Sequence, residues 1–191
     1  MGIKYIKLEN SFNVPKLKAS LSSIIKKIPY EQNQVAFQHR VGVTAFNDGI
    51  KRGENWFYNK DIGLTDIEYC EYYEILQKEY IIECLKSLPF KPYRSKFMLL
   101  KPRTCYGFHY DKTIRFQIPI DTAENQGRFA FETGELISLE EGSVYIFNTK
   151  EKHSAINFHR ELDRVHIVGC LEEKHETDSE FVKDVYKQFN L

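Results

Sequence analysis

Long apolar runs, paired cysteines and an excess of either charge are all missing from this chain of 191 residues. No stretch approaches the roughly 18 apolar residues of a membrane-spanning helix, and residues 1–8 lack the basic-then-apolar order of a signal peptide. We therefore expect a soluble, cytoplasmic protein with no membrane partner. Basic and acidic residues both number 27. Because a neutral chain has no overall field that attracts nucleic acid, no nucleic-acid partner is expected either.

The four cysteines are too scattered along the chain for a zinc knuckle or a dense disulfide framework. They are Cys70, Cys84, Cys105 and Cys170. We expect all four to be reduced thiols and most of them to be buried.

No internal repeat or flexible linker divides the chain, so we expect one domain over residues 1–191. Its first part, 1–92, is predicted to be helical or mixed and to pack on a β-rich core formed by 93–172. Residues 173–191 are predicted to close the chain with a helix.

Helical spacing of apolar residues predicts helices, and strict alternation predicts strands. The order is a helix over 14–28, one or two strands over 34–46, a loop over 47–63, a helix or two short ones over 66–88, and a last helix over 178–189. Asn13 is the expected cap of the first helix, and Thr177 or Asp178 that of the last.

Short β-prone runs follow one another from Tyr93 onward, separated by turn residues such as Pro102 and Gly134. The runs cover 96–100, 113–120, 128–131, 135–139, 143–147 and 164–171. Several short strands at such spacing are typical of a β-sandwich or a barrel.

His109 and Asp111 form a His-x-Asp pair at the end of a β-prone segment, where alternation places both side chains on one side of the chain. His153 follows between two later runs. Two histidines and one carboxylate on one face of an octahedral ion are the ligands of non-haem iron oxygenases. A His-x-Asp pair alone arises by chance in many proteins, so its surroundings decide its meaning.

Two arginines that begin apolar β runs support a binding site. Arg164 lies eleven residues after His153. Arg115 begins another run and shares a face with Gln117. A buried arginine needs an anionic partner, and its planar fork can bind a carboxylate, such as the distal one of 2-oxoglutarate, through two hydrogen bonds. Alternatively, both arginines lie at strand ends and extend into solvent.

Six segments between Lys101 and Glu172 follow an order and spacing found in a known family. They are His109-Tyr110-Asp111, Arg115-Phe116-Gln117, Gly134-Glu135, the run from Glu141 to Phe147, the run from His153 to Asn157, and Arg164-Val165-His166. In these segments the chain resembles the aspartyl/asparaginyl β-hydroxylases. These are Fe(II)/2-oxoglutarate-dependent dioxygenases, a family that includes bacterial free-proline hydroxylases. The resemblance covers under half of the chain. The resemblance implies a mostly β fold with flanking helices, a double-stranded β-helix similar to jelly rolls and cupins.

The resemblance also implies roles. His109, Asp111 and His153 would bind Fe(II), and Arg164 would bind the distal carboxylate of 2-oxoglutarate. The other cosubstrate residues would be Arg115, Gln117 and His166, the last of which could equally be an ordinary barrel residue. The protein would hydroxylate a C–H bond and release succinate and CO₂. Since related halogenases lack the carboxylate ligand, Asp111 argues against halogenation.

The expected substrate is an amino acid or an amino-acid-like group, free or in a peptide. Arg103 could receive a substrate carboxylate, and Tyr106 and Trp56 could line the mouth of the site. Trp56 could equally anchor its loop on the core. Asn157, which by resemblance would brace the loop after His153, completes these substrate-side candidates. The alternative function is a non-catalytic, cupin-like barrel that binds a metal or another ligand.

Overall fold

Strands dominate the computed structural model, which describes residues 2–28, 33–40 (without the side chains of 39 and 40) and 66–191. The strands are β1 (Tyr5–Ser11), β2 (Gln34–Ala36), β3 (Gln38–Arg40), β4 (Tyr69–Tyr72), β5 (Tyr93–Leu100), β6 (Thr104–Cys105), β7 (Arg115–Asp121), β8 (Gly127–Phe131), β9 (Leu136–Ser138), β10 (Ser143–Phe147), β11 (His153–Asn157) and β12 (Arg164–Cys170). The helices are α1 (Val14–Lys27), α2 (Tyr80–Lys86) and α3 (Glu180–Gln188).

Two antiparallel sheets form the core. The larger sheet has the order β1-β10-β7-β12-β5-β2, and the smaller has the order β6-β11-β8-β9. Neighbouring strands are almost never consecutive in sequence, which is typical of a jelly roll. A separate pair, β3 and β4, completes the described strands. The predicted fold class is confirmed: the chain is mostly β, with a double-stranded β-helix and flanking helices.

The central strands of the larger sheet are buried on both faces. On β7, the alternate residues Phe116, Ile118 and Ile120 belong to the main hydrophobic core. That core also contains Leu17 of α1 and Val182 of α3, so helices cover this face. The opposite face, with Arg115 and Gln117, borders an internal cavity. Sheets that are covered on both sides lose the plain apolar–polar alternation of a half-exposed strand.

Most of the predicted elements are confirmed. Asn13 caps α1 by accepting a hydrogen bond from the backbone N–H of Lys16 at 2.9 Å. The six predicted runs after Tyr93 correspond to β5, β7, β8, β9, β10 and β12. The strands predicted over 34–46 are β2 and β3 as far as residue 40. The rest of that range and the loop over 47–63 lie outside the described residues.

The helix predicted over 66–88 is wrong in its first half. Tyr69–Tyr72 forms β4, which pairs with β3, and the α-helix covers Tyr80–Lys86. Tyrosine has a high β propensity, and a pairing partner outweighs the weaker preference that helical spacing expresses.

The cap of the last helix is Ser179, so the predicted caps Thr177 and Asp178 are wrong. The hydroxyl of Ser179 accepts a hydrogen bond from the backbone N–H of Val182 at 3.4 Å. Thr177 instead accepts from the backbone N–H of Ser179 at 3.1 Å. The two hydroxyls therefore satisfy N–H groups at the start of α3, those of Ser179 and Val182.

β1 was not predicted from the sequence. Its residues alternate between half-buried and exposed positions, with Ile6 and Leu8 packed against the core. β1 pairs with β10 at one edge of the larger sheet, while β2 forms the other edge. The N-terminal part of the chain thus supplies both edge strands.

The cysteines are free thiols, as expected from the sequence, but only two of the four are buried, so the expectation that most are buried is wrong. All four are free; Cys84 and Cys170 are buried, whereas Cys105 is exposed. Within the described residues, no helix is long and apolar enough to cross a membrane.

Candidate metal centre

A cavity of about 230 Å³ lies between the two sheets. Residues of β5, β7 and β12 contribute one wall, and β8 and β11 contribute the other. The three predicted metal ligands line this cavity together with Arg115, Gln117 and Arg164. With Tyr106, which also lines the cavity, the structure brings seven of the predicted site residues into one space.

His109, Asp111 and His153 each offer one ligand atom, and these atoms all lie within 4.8 Å of one another. Backbone hydrogen bonds fix the two histidines. The N–H of His109 donates to the carbonyl of His153 at 3.0 Å, and the reverse bond has the same length. The N–H of Asp111 donates to the carbonyl of Thr149 at 2.9 Å. The first residue of β11, the isolated bridge that it forms with His109, and the loop after β10 thus hold the cluster in place.

The ring orientation of each histidine is set by a backbone carbonyl. Nδ1 of His109 lies 2.8 Å from the carbonyl oxygen of Gly107, and Nδ1 of His153 lies 2.9 Å from that of Glu151. A carbonyl oxygen only accepts, so each Nδ1 is assigned the proton. This leaves Nε2 of each ring as the atom that can bind a metal, which histidine does in its neutral form.

Asp111 is ionised at neutral pH. Burial alone would raise its pKa, but contact with His153 and the positive charge of Arg115 lower the pKa to about 2. Oδ2 of Asp111 lies 3.4 Å from Nε2 of His153 and 3.1 Å from Nε of Arg115. The cluster therefore combines two imidazole side chains with one charged carboxylate.

Arg164 is a buried cation on β12, only 3% exposed. Its Nη2 donates to Oε1 of Gln117 at 3.3 Å and lies 3.0 Å from Nδ1 of His166. Its Nε has no hydrogen-bond partner in the described part of the chain, and burial lowers its pKa to about 10. A buried guanidinium whose contacts are all neutral is destabilising until an anion, such as a carboxylate, binds to it.

Arg115 lines the same cavity, but its charge is engaged within the protein. Its guanidinium pairs with Asp111 and, at 3.3 Å, with Oδ2 of Asp66. It also contacts the buried thiol of Cys170. Arg115 therefore differs from Arg164, because two carboxylates of the chain already neutralise it.

The remaining predicted residues divide into three groups. Tyr106 lines the cavity, and burial raises the pKa of its hydroxyl. Asn157 braces the loop after β11, since its Nδ2 donates to the carbonyls of Leu100 and Leu162 at 3.0 and 2.9 Å. Arg103 is exposed and outside the cavity wall. Trp56 lies outside the described residues.

Two charged residues near the site were missed from the sequence. Asp66 contacts Arg115 from a segment that was expected to be helical. Lys96 lines the cavity from β5, opposite Val168 of β12. Burial and the charges of Arg115 and Arg94 lower the pKa of Lys96 to about 7. Alternation along β5 could have predicted that Lys96 faces the cavity. No local pattern in the sequence predicts that Asp66 contacts Arg115.

No protein-family model and no curated protein matches the chain. Among solved structures, a prolyl-4-hydroxylase from Pseudomonas putida is 12% identical over 89% of this chain and 88% of that one, with a TM-score of 0.45. AviO1 from Streptomyces viridochromogenes Tue57 is 12% identical over 88% and 90%, with a TM-score of 0.49. An oxidoreductase of the 2OG-Fe(II) oxygenase family from Burkholderia pseudomallei is 16% identical over 41% of this chain and 42% of that one, with a TM-score of 0.37. All three TM-scores lie below 0.5, so the interpretation of the site rests on its own side chains.

Proposed function

We propose that this protein is an Fe(II)- and 2-oxoglutarate-dependent dioxygenase that hydroxylates a substrate C–H bond and releases succinate and CO₂. One observation carries the proposal: the same small cavity is lined by a His-Asp-His cluster and by a buried arginine that has no carboxylate partner among the described residues. The first feature suits a divalent ion, and the second suits an anion bound beside it.

The donor set fits Fe(II). Nε2 of His153 and Oδ2 of Asp111 face each other at 3.4 Å, while Nδ1 of His153 is directed at the carbonyl of Glu151. Once Nε2 is unprotonated, the two facing atoms suit a cation placed between them. Two imidazoles and one carboxylate are the ligands of non-haem iron oxygenases. Fe(II) held by His109, Asp111 and His153 would supply the activation of O₂ that C–H hydroxylation requires.

The cosubstrate side of the cavity suits a small dicarboxylate. Arg164 would bind the distal carboxylate of 2-oxoglutarate through its planar fork. Gln117 and His166 lie against its Nη2 and fix the guanidinium in place. Burial and the charge of Arg164 hold the pKa of His166 well below its usual value, so its ring stays neutral. The cavity is smaller than the roughly 300–1,000 Å³ of sites for drug-sized ligands.

The proposed substrate is an amino acid or an amino-acid-like group, free or within a peptide. Phe108 and Tyr110 flank His109 in the sequence and are 50% and 61% exposed. Exposed aromatic side chains beside a metal ligand can hold the apolar part of a substrate. Arg103, exposed on the segment that precedes them, is a candidate partner for a substrate carboxylate.

The proposal is tested in two stages. First, Fe(II)-loaded protein is titrated with 2-oxoglutarate without oxygen, and the weak visible absorption band of the metal–keto acid pair is expected. Second, amino acids and short peptides are screened with oxygen for succinate release, and products are weighed by mass spectrometry for the gain of one oxygen atom. A band without any succinate in the screen would leave a metal- and keto-acid-binding barrel as the better description. Absence of the band would refute the proposal.

A further inference from the structure

We infer that Asp66, acting through Arg115, is a positioning residue that keeps the carboxylate of Asp111 oriented and available to a divalent cation. The inference rests on the proposed function for the identity of the metal. It assigns a role to a residue far from the three ligands in sequence and gives Arg115 a task other than binding the cosubstrate.

The three side chains form a continuous chain of contacts. Oδ2 of Asp66 lies 3.3 Å from Nη2 of Arg115, and Nε of Arg115 lies 3.1 Å from Oδ2 of Asp111. All three side chains are largely shielded from solvent, with exposed fractions of 9%, 13% and 22% in that order. Screening by water is therefore weak, and each charge influences the next strongly.

Asp66 is itself held firmly. Its Oδ2 accepts a hydrogen bond from the hydroxyl of Thr113 at 2.6 Å, and its Oδ1 pairs with Arg94. Burial would raise its pKa, but the charges of Arg115 and Arg94 lower it well below its usual range. Asp66 is thus a fixed anion at every pH at which the protein is expected to work.

Arg115 contacts both oxygens of Asp111. Its Nη2 lies 3.4 Å from Oδ1, and its Nε lies 3.1 Å from Oδ2. This two-point contact fixes the rotation of the carboxylate and directs Oδ2 towards His153. Partners of this kind orient metal-binding side chains in many proteins.

Charge balance explains why a second carboxylate is present. Arg115 paired with Asp111 alone would cancel the charge that attracts a metal ion. With Asp66 on its other side, the guanidinium of Arg115 is shared between two carboxylates, while Arg94 pairs with the other oxygen of Asp66, so the negative charge of Asp111 is less completely cancelled. Removal of the negative charge at Asp66 should therefore weaken the binding of a divalent ion without touching any ligand.

The test measures the affinity of the full chain for Co(II), used alone as a spectroscopic probe. Asp66→Asn should weaken Co(II) binding about tenfold or more, as supporting partners of metal ligands usually do when removed, and should alter the visible spectrum of bound Co(II). Glu79→Gln is the matched control. It removes a similarly buried carboxylate, one that is paired with Lys27 in the helical layer, and should leave both readouts unchanged.

A double-mutant cycle separates positioning from simple stabilisation. In the background of Arg115→Met, adding Asp66→Asn should change Co(II) affinity less than threefold, because the group through which Asp66 acts is gone. An equal effect in both backgrounds, or wild-type affinity in Asp66→Asn, would overturn the inference. If Asp66→Asn does not fold, Asp66→Glu takes its place. It keeps the charge, and an unchanged Co(II) spectrum in that variant would also count against positioning.

The inference and the proposed function fail in different ways. Wild-type protein that binds Co(II) with the expected dependence on Asp66, but never consumes 2-oxoglutarate, would refute the function and leave the positioning role intact. Normal turnover of 2-oxoglutarate with no effect of Asp66→Asn on Co(II) would do the opposite. A wild-type protein that bound no divalent ion would overturn both.

Discussion

Nη2 of Arg164 lies 3.0 Å from Nδ1 of His166, and both side chains are almost completely buried. Oε1 of Gln117 lies at the same 3.0 Å from Nδ1 of His166 and accepts from Nη2 of Arg164, so the three side chains form one buried cluster of contacts. The ring cannot take up a second proton without facing the positive charge of Arg164. The pair therefore holds one positive charge, at a position that a carboxylate in the cavity can reach.

Replacing Arg164 with methionine should separate cosubstrate binding from metal binding. We expect the dissociation constant for 2-oxoglutarate to rise about 100-fold, near 2.7 kcal/mol, because a buried cation is lost from the anion site. Co(II) affinity should stay within a few-fold of wild type. The ligand-free variant should also be more stable by roughly 1 kcal/mol, since a desolvated charge is gone.

These effects are measured by anaerobic titration with 2-oxoglutarate and by urea unfolding. Arg160→Met, at an exposed position, serves as the matched control and should change neither quantity. An unchanged affinity for 2-oxoglutarate in the Arg164 variant would remove Arg164 from the cosubstrate site.

Metal binding should stabilise the folded protein. Mn(II) at 100 times its dissociation constant is expected to add about 2.7 kcal/mol to the free energy of unfolding, and a chelator should reverse the gain. Asp111→Ala should abolish this stabilisation, because it removes both a ligand and the negative charge of the cluster. Thermal unfolding with and without Mn(II) checks the expectation. Asp184→Ala, on the exposed face of α3, should respond like wild type, and stabilisation of the Asp111 variant would contradict the ligand assignment.

Lys96 should give the protein a distinct dependence on pH. Its folded-state pKa is lowered to about 7 by burial and by the charges of Arg115 and Arg94, whereas an unfolded lysine titrates near ~10.4. Between these values the unfolded chain binds more protons, so this residue makes stability rise with pH. Below pH 7 both states are protonated, and the unfavourable burial of the charge is fully present.

Lys96→Met should therefore be more stable than wild type at pH 7, by about 1–2 kcal/mol after allowance for the partial exposure of the side chain. The difference should shrink as pH rises and should disappear near pH ~10.4. Urea unfolding at several pH values measures it, with Lys187→Met, exposed on α3, as the control. A difference that stays constant over this interval would show that Lys96 titrates normally.

Asn157 should matter for stability more than for chemistry. Its side chain bonds the carbonyls of Leu100 and Leu162 and the backbone N–H of His159. Asn157→Ala leaves these buried groups unsatisfied, and we expect a loss of about 2–3 kcal/mol in the free energy of unfolding. Co(II) affinity should change little, because no ligand is contacted. A large loss of Co(II) affinity with normal stability would instead place Asn157 in the site.

The sequence was informative where the pattern is local. His109 and Asp111 are two residues apart on an extended segment, so alternation alone places them together. Arg164 begins an apolar β run, which left an inward and a solvent-directed side chain both open, and its burial in the structure decides for the inward one. Six of the eight strands from Tyr93 onward were predicted because turn residues separate them, whereas β6 and β11 were not predicted.

Long-range contacts explain what the sequence could not reveal. Asp66 contacts Arg115 although the two are 49 positions apart in the sequence, and no spacing rule connects them. The strand β4 forms because β3 is available as a partner, which its own composition does not specify. Arg103 precedes the ligands closely in sequence but remains outside the cavity wall, since the chain turns between β5 and β6.

β1 covers the edge of β10, its neighbour in the larger sheet. It covers one side of β10, whose five residues are all buried. Without β1, the backbone N–H and C=O groups along that side of β10 would lack partners, beside apolar side chains such as Val144 and Ile146. An uncovered edge of this kind is a template for adding strands from other molecules. Loss of the first strand should therefore appear as aggregation of the protein before any loss of its metal site.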